Sequence, residues 1–241
     1  MIETLNQIDT DIFLFFNGMR SDFLDRFMMM FTGRFIWVPM YASILFIFTK
    51  TMKPKMIILY TLAIALAITL TDQTCATFIR PFVERLRPSN PNNALSEFTY
   101  VVNDYRGGPY GFPSCHSANS FALATFMTLL VARRKFTWFI FGWAILNSYS
   151  RLYIGVHYPG DLLVGAIIGS AYGALCYHLA HRFDSVKRSD MAGLTSNRAL
   201  TLPIGIQFTP AIRLHALHIS NAGVMMSIGV ITTLIIIAAA F

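Results

Sequence analysis

Six apolar runs, at residues 35–49, 56–71, 117–132, 136–149, 162–180 and 222–241, alternate with polar connections along most of the chain. The second continues in more polar form to residue 79. A segment surrounded by hydrocarbon has no water to satisfy its backbone, so it closes its own hydrogen bonds and becomes a helix. Several of the runs are shorter than the roughly 20 residues a spanning helix needs, so the helices must extend into the polar sequence that flanks them. Composition points the same way: 55% of residues are hydrophobic, 13% are charged and 21 are Phe, a membrane usage. The expected fold is all-α, a polytopic transmembrane helical bundle of about six crossings.

Upstream, residues 12–16 and 23–31 are apolar but punctuated by Asn17, Gly18, Asp22, Asp25 and Arg26. They are expected as N-terminal interfacial, amphipathic helices, in preference to a further crossing made by the second stretch with residues 35 onward. Residues 1–11 carry Glu3, Asp9 and Asp11 and no Lys or Arg, which speaks against a cleaved signal. The chain is thus expected to divide into N-terminal helices at 1–34, a membrane core at 35–182, a polar connector at 183–221 and a last transmembrane segment at 222–241. No internal repeat or low-complexity tract suggests a second domain.

The net charge of +7 is spread over the ends of the apolar runs rather than gathered on one soluble face. Membrane topology and anionic headgroups explain it better than nucleic acid, and no obligate protein partner is expected. Lys50, Lys53 and Lys55, then Arg133, Arg134 and Lys135, then Arg182, Lys187 and Arg188 occupy alternate connections, which places those connections in the cytoplasm. The intervening connections, around 80–112 and 151–161, fall on the opposite side. The three cysteines, Cys75, Cys115 and Cys176, have no CxxC spacing and no disulfide framework is expected. His178/His181 and His215/His218 have an i,i+3 spacing that suits a metal, but no Cys or carboxylate pattern accompanies them, so no metal site is assigned.

Three polar clusters sit on the noncytoplasmic side. Arg80 and Arg87 are seven residues apart, about two turns if helical, so two guanidinium forks would share one face and suit a phosphate; the plain alternative is interfacial anchoring. Gly107, Gly108 and Gly111 precede Pro113-Ser114-Cys115-His116, a flexible backbone whose amides, with a helix N-terminus near Ser114, suit an anion. Ser114 offers a hydroxyl and His116 a proton; alternatively Ser114 is only a helix cap. Asp161 follows His157 by one helical turn, so its carboxylate can hold one imidazole nitrogen while the other faces a cavity, although Asp161 also suits a helix cap. Arg151 adds a third cation to the same membrane edge.

Taken together the clusters resemble the type 2 phosphatidic acid phosphatase family, whose histidine acid phosphatase site is shared with vanadium haloperoxidases. Its pattern stands here as Arg80-(six)-Arg87-Pro88, Pro113-Ser114-Cys115-His116 and Ser150-Arg151-(five)-His157-(three)-Asp161, over about residues 56–180. Arg80 replaces the commoner Lys, and Cys115 replaces Gly, which makes backbone donation there less certain than the side-chain roles. The resemblance implies that His157 attacks phosphorus and Asp161 orients it. His116 then acts as acid and base, while Arg80, Arg87, Ser114, Cys115 and Arg151 hold the phosphate. No metal or other cofactor is implied.

The implied activity is hydrolysis of a membrane-lipid phosphate monoester or diphosphate. Undecaprenyl diphosphate or lipid A phosphate is favoured over phosphatidylglycerol phosphate or phosphatidic acid. A lipid phosphotransferase and a noncatalytic binding or transport protein are the alternatives. The implied place is a bacterial inner membrane with the site facing the periplasm. Cys115, next to His116, is expected either to make the site sensitive to thiol reagents or merely to fill a small gap.

Overall fold

A computed structural model describes residues 2–33, 35–186, 200–201, 207–208 and 218–241, with side chains at 3–33, 35–183 and 222–241. Its helices are α1 (Ile2–Asn17), α2 (Asp22–Phe31), α3 (Val38–Thr51), α4 (Pro54–Gln73), α5 (Arg80–Val83), α6 (Cys115–Val131), α7 (Arg134–Tyr153), α8 (Pro159–Val186) and α9 (His218–Ala240). A π-helical stretch, Thr74–Ile79, joins α4 to α5 without a break. A two-residue strand pair, Leu200–Thr201 with Gln207–Phe208, lies between α8 and α9. The helical stretch Pro54–Val83, together with Pro159–Phe183 and Ala222–Ala240, is long and apolar enough to cross a membrane; α3 and α6 are apolar but shorter.

Each apolar run became a helix that reaches into its polar flanks. The run at 136–149 extends to α7 (Arg134–Tyr153) and that at 162–180 to α8 (Pro159–Val186), past the expected boundary at residue 182. Pro54 and Pro159 sit in the first turns of α4 and α8, where a missing N–H breaks no helical bond. Leu62, Ile58, Leu163, Ile167, Leu234 and Ile235 remain more than half exposed. In water this would be a liability, but around a membrane bundle hydrocarbon is the solvent for these faces.

The tightest helix pair is α6 with α8, and small residues make it so. A Cβ on Gly165 would lie 2.5 Å from the Ser114 carbonyl oxygen. One on Gly169 or Gly173 would collide with the backbone of Ala118 or Ala122. Glycines four residues apart thus let the two backbones touch, the usual route to close packing where lipid supplies no hydrophobic drive. This contact brings the start of α6 against the start of α8.

The N-terminal helices are tied to that same end. Asn17 is buried, donates to the carbonyls of Tyr100 and Tyr153, and accepts from the Tyr100 amide. Asp25 accepts hydrogen bonds from the hydroxyls of Tyr100 (2.6 Å) and Tyr153 (2.7 Å). The second apolar stretch does not join residues 35 onward into one crossing, because α2 ends at Phe31 and α3 starts at Val38.

Arg80 and Arg87 do not share a continuous helical face. The helix stops at Val83, and Glu84 takes a left-handed conformation (φ 50°), which turns the chain before Arg85. From there Arg85 and Arg87 run beside residues 109–111: the Arg87 amide donates to Pro109 O, and the Gly111 amide donates to Arg85 O. The two arginines therefore reach one place by separate routes.

Candidate active site

A cavity of about 510 Å³ lies where α2, α5, α6 and α7 meet the connections at 84–114 and 154–158. Arg80, Arg87, Arg151, Cys115, His116 and His157 all line it, six of the eight residues the sequence nominated. Ser114 and Asp161 do not line it; both are fully buried directly behind it.

Asp161 sits in the first turn of α8 and organises its surroundings. Its Oδ2 accepts from the Tyr158 amide at 3.0 Å and lies 3.3 Å from His157 Nδ1. Its Oδ1 pairs with Arg85 at 3.0 Å. The other nitrogen of His157, Nε2, is 2.8 Å from Arg87 Nη1. A guanidinium can only donate, so Nε2 is the acceptor; that leaves the ring proton on Nδ1, facing the carboxylate. Burial holds the His157 pKa well below its ordinary 6.5, and the charges of Arg87, Arg151 and Arg80 add to the effect. The imidazole is therefore neutral, in one tautomer, with a lone pair directed at the arginines.

The arginines are individually fixed. Arg80 donates through Nη2 to Pro113 O and to Cys115 Sγ, both at 3.0 Å. Arg87 is 7% exposed and also donates to Val156 O. Burial, with repulsion from Arg80 and Arg151, brings its pKa down to about 10, so it stays charged at neutral pH. Arg151 donates to Thr32 Oγ1 (3.0 Å) and to the Tyr105 hydroxyl (3.4 Å). Three guanidinium groups crowded round one space repel each other, and an anion between them relieves that repulsion.

Two expectations for the loop change in detail. Gly111 gives no amide to the cavity, since its N–H is already bonded to Arg85 O. Its role is close approach: an added Cβ would lie 3.0 Å from Asp161 Oδ2 and 3.5 Å from His157 Nδ1. Ser114 is the N-cap of α6, accepting from the Ser117 amide, while its own amide donates to Asp161 O. It ties the start of α6 to the start of α8 from behind the cavity wall. His116 stands in the first turn of α6, partly buried, with Nε2 3.4 Å from Thr32 O.

Sequence reasoning missed Arg85, Asp9 and Thr32. Arg85 bridges Asp161 and Asp9, the latter at 2.7 Å, and its guanidinium stacks on Tyr158. Asp9 also accepts from the Gly160 amide at 2.6 Å. Asp9 is one of three acidic residues in α1, with Glu3 and Asp11, and nothing local singles it out. As for the histidine pairs, the rings of His178 and His181 pack on Tyr177, and the side chains of His215 and His218 lie outside the described residues. Among the described residues no group of three His, Cys, Asp or Glu is placed to hold a metal ion.

Known proteins share this arrangement of sequence and fold. Residues 35–185 match the family model of the PAP2 superfamily. The chain is 55% identical over 190 residues to a lipid A 4'-phosphatase of Bacteroides thetaiotaomicron, covering 79% of this chain and 84% of that one. It is 32% identical over 176 residues to a lipid A 4'-phosphatase of Porphyromonas gingivalis, covering 73% and 74%. The crystal structure of Aquifex aeolicus LpxE superposes with a TM-score of 0.53 at 25% identity, covering 70% of this chain and 93% of that one. With a family match over well over half its length and bilayer-length helices carrying the site, the chain is an integral membrane protein of the type 2 phosphatidic acid phosphatase superfamily.

Proposed function

We propose that this protein is a phosphatase of a membrane lipid, that His157 is its nucleophile, and that its substrate is a phosphate of lipid A. One observation carries the chemistry: a buried neutral His157, its Nδ1 held by Asp161 and its Nε2 turned to Arg87, inside a cavity ringed by three arginines. The similarity to lipid A 4'-phosphatases from two organisms supports the substrate over the other lipid phosphates.

A phosphoryl group entering the cavity takes over the Arg87 N–H and leaves the Nε2 lone pair facing phosphorus. Nε2 attacks as the bond from phosphorus to the lipid oxygen breaks, and a protonated His116 gives its proton to that oxygen. Asp161 stabilises the positive charge that develops on His157. His116 then takes a proton from water, whose oxygen displaces Nε2 and releases phosphate. Arg80, Arg87 and Arg151 hold the three nonbridging oxygens as charge redistributes. Cys115 lies against the phosphate site beside Arg80, while Ser114 shapes the turn that places His116.

Six crossings, by α3, α4, α6, α7, α8 and α9, complete the proposal. By chain direction the basic turns at 50–55 and 133–135 fall at the helix ends opposite the site. The positive-inside tendency then puts the cavity on the periplasmic side of a bacterial inner membrane.

The test is phosphate release by the purified protein in detergent from a panel of lipid phosphates. His157→Ala and His116→Ala are expected to lower turnover by about a thousandfold or more. Vanadate is expected to inhibit, and EDTA to leave turnover unchanged. Full activity in either histidine variant would overturn the mechanism, and a phosphorylated alcohol in place of free phosphate would reassign the reaction to transfer.

A further inference from the structure

A second cavity, of about 410 Å³, adjoins the first and shares Thr32, Gly33 and His116 with it. It runs between α3, α4, α6 and α7. Tyr41 and Leu45, which line it, are 39% and 49% exposed on the outside of α3, so it opens toward lipid. Most of its wall is apolar, including Ile44, Phe48, Ile64 and Leu123. A plain hydrocarbon slot would be apolar throughout, and this one is not.

Among the polar groups of the wall, three are buried without a partner. Asn147 and Trp143 are each 6% exposed, and among the described residues neither Asn147 Oδ1 nor Trp143 Nε1 has a hydrogen-bond partner. Asn119 Oδ1 is likewise buried without one. Both asparagines are held in place through their other ends: Asn147 Nδ2 donates to Ser120 Oγ at 2.7 Å, and Asn119 Nδ2 to Asp72 Oδ1 at 3.4 Å. Residues of the wall next to the phosphate site thus carry two buried carbonyl oxygens and one buried N–H without partners. A buried polar group left unpaired is costly, so such a set favours a ligand that completes it.

We propose that Asn119, Asn147 and Trp143 are specificity residues that hydrogen-bond hydroxyl and amide groups of the substrate close to its phosphate. The inference rests on the phosphatase reading above and names the residues by which that site would select a phosphorylated, N-acylated amino-sugar lipid. A hydroxyl or amide N–H meets an asparagine oxygen, an amide carbonyl meets the indole N–H, and the acyl chains follow the apolar wall outward. A polyprenyl diphosphate offers hydrocarbon beyond its phosphates and leaves all three groups unpaired. Discrimination by such a site is asymmetric: the ligand that lacks the polar groups is rejected strongly.

The experiment compares kcat/KM for a 4'-phosphorylated N-acylated glucosamine lipid and for undecaprenyl diphosphate, in wild type, Asn147→Leu and Trp143→Phe. The first variant removes an acceptor at similar size; the second keeps an aromatic ring and loses the N–H, which guards against a folding defect in the first. The expected result is a wild-type preference for the sugar lipid that falls by about tenfold or more in either variant. Equal loss on both substrates, or an unchanged ratio in both variants, would overturn the inference while leaving the phosphatase reading intact. No turnover of any lipid phosphate by the wild type would sink both.

Discussion

Asp161 and Arg85 show how much of the proposed site's geometry rests on one charge pair. Asp161 is fully buried beneath His157, and Arg85 is the side chain that neutralises it while also holding Asp9 of α1. Removing one member of a buried pair leaves a charge uncompensated, at about 3 kcal/mol or more. Arg85→Gln is therefore expected to lower the unfolding midpoint and to reduce kcat about tenfold or more with little change in KM, since it orients Asp161 without lining the phosphate cavity. Arg85→Lys should recover part of the kcat, a rescue that a loss of stability alone would not give. That His157 and Asp161 would meet was legible because they stand one helical turn apart, and His116 stood out through its own Pro-Ser-Cys-His cluster. Arg85 was not: its partners lie 76 residues away at Asp161 and far back in α1, and a single arginine in a basic loop carries no local signal of them.

At the level of elements, the glycines decide how close things come. Gly111→Ala would press a methyl against Asp161 Oδ2 and Arg87 Cγ, at 3.0 and 3.2 Å, in a place where small misplacements of a catalytic pair are expensive. A fall in kcat of about ten- to a hundredfold with a normal fold is expected, measured as phosphate release alongside thermal unfolding. Gly169→Leu belongs to a different class, because its side chain would meet the Ala118 backbone and force α6 and α8 apart. That variant should lose detergent-resistant folding and activity together, and Gly142→Leu, at a position with open space around its Cβ, serves as the tolerant control. Periodicity and hydropathy made the helices themselves legible. They did not show that Arg80 and Arg87 stand on different elements, because the left-handed turn at Glu84 has no glycine or asparagine to announce it.

For the molecule as a whole, the buried neutral His157 links stability to pH. Its folded pKa is lowered well below the unfolded 6.5, so the native state declines a proton that the unfolded chain accepts. The stabilising contribution is complete above pH 6.5 and is lost as pH falls below it toward the folded value, at up to about 1.4 kcal/mol per pH unit for one proton. Thermal unfolding between pH 7.5 and 5 should show the midpoint falling more steeply in wild type than in His157→Gln; parallel slopes would show that other groups carry the effect.

The sequence by itself determined the all-α class, the approximate limits of the apolar helices and six of the residues that line the arginine-ringed cavity. Those features follow from the need to satisfy a backbone in hydrocarbon and from phosphate chemistry written at short spacing. Only the tertiary structure decided that α1 and α2 complete the site through Asp9 and Thr32, that Ser114 stands behind the cavity wall, and that buried amides border the phosphate site. The physical reason is separation along the chain: ion pairs and cavity walls made by residues far apart depend on how the helices pack, and no local pattern encodes that packing.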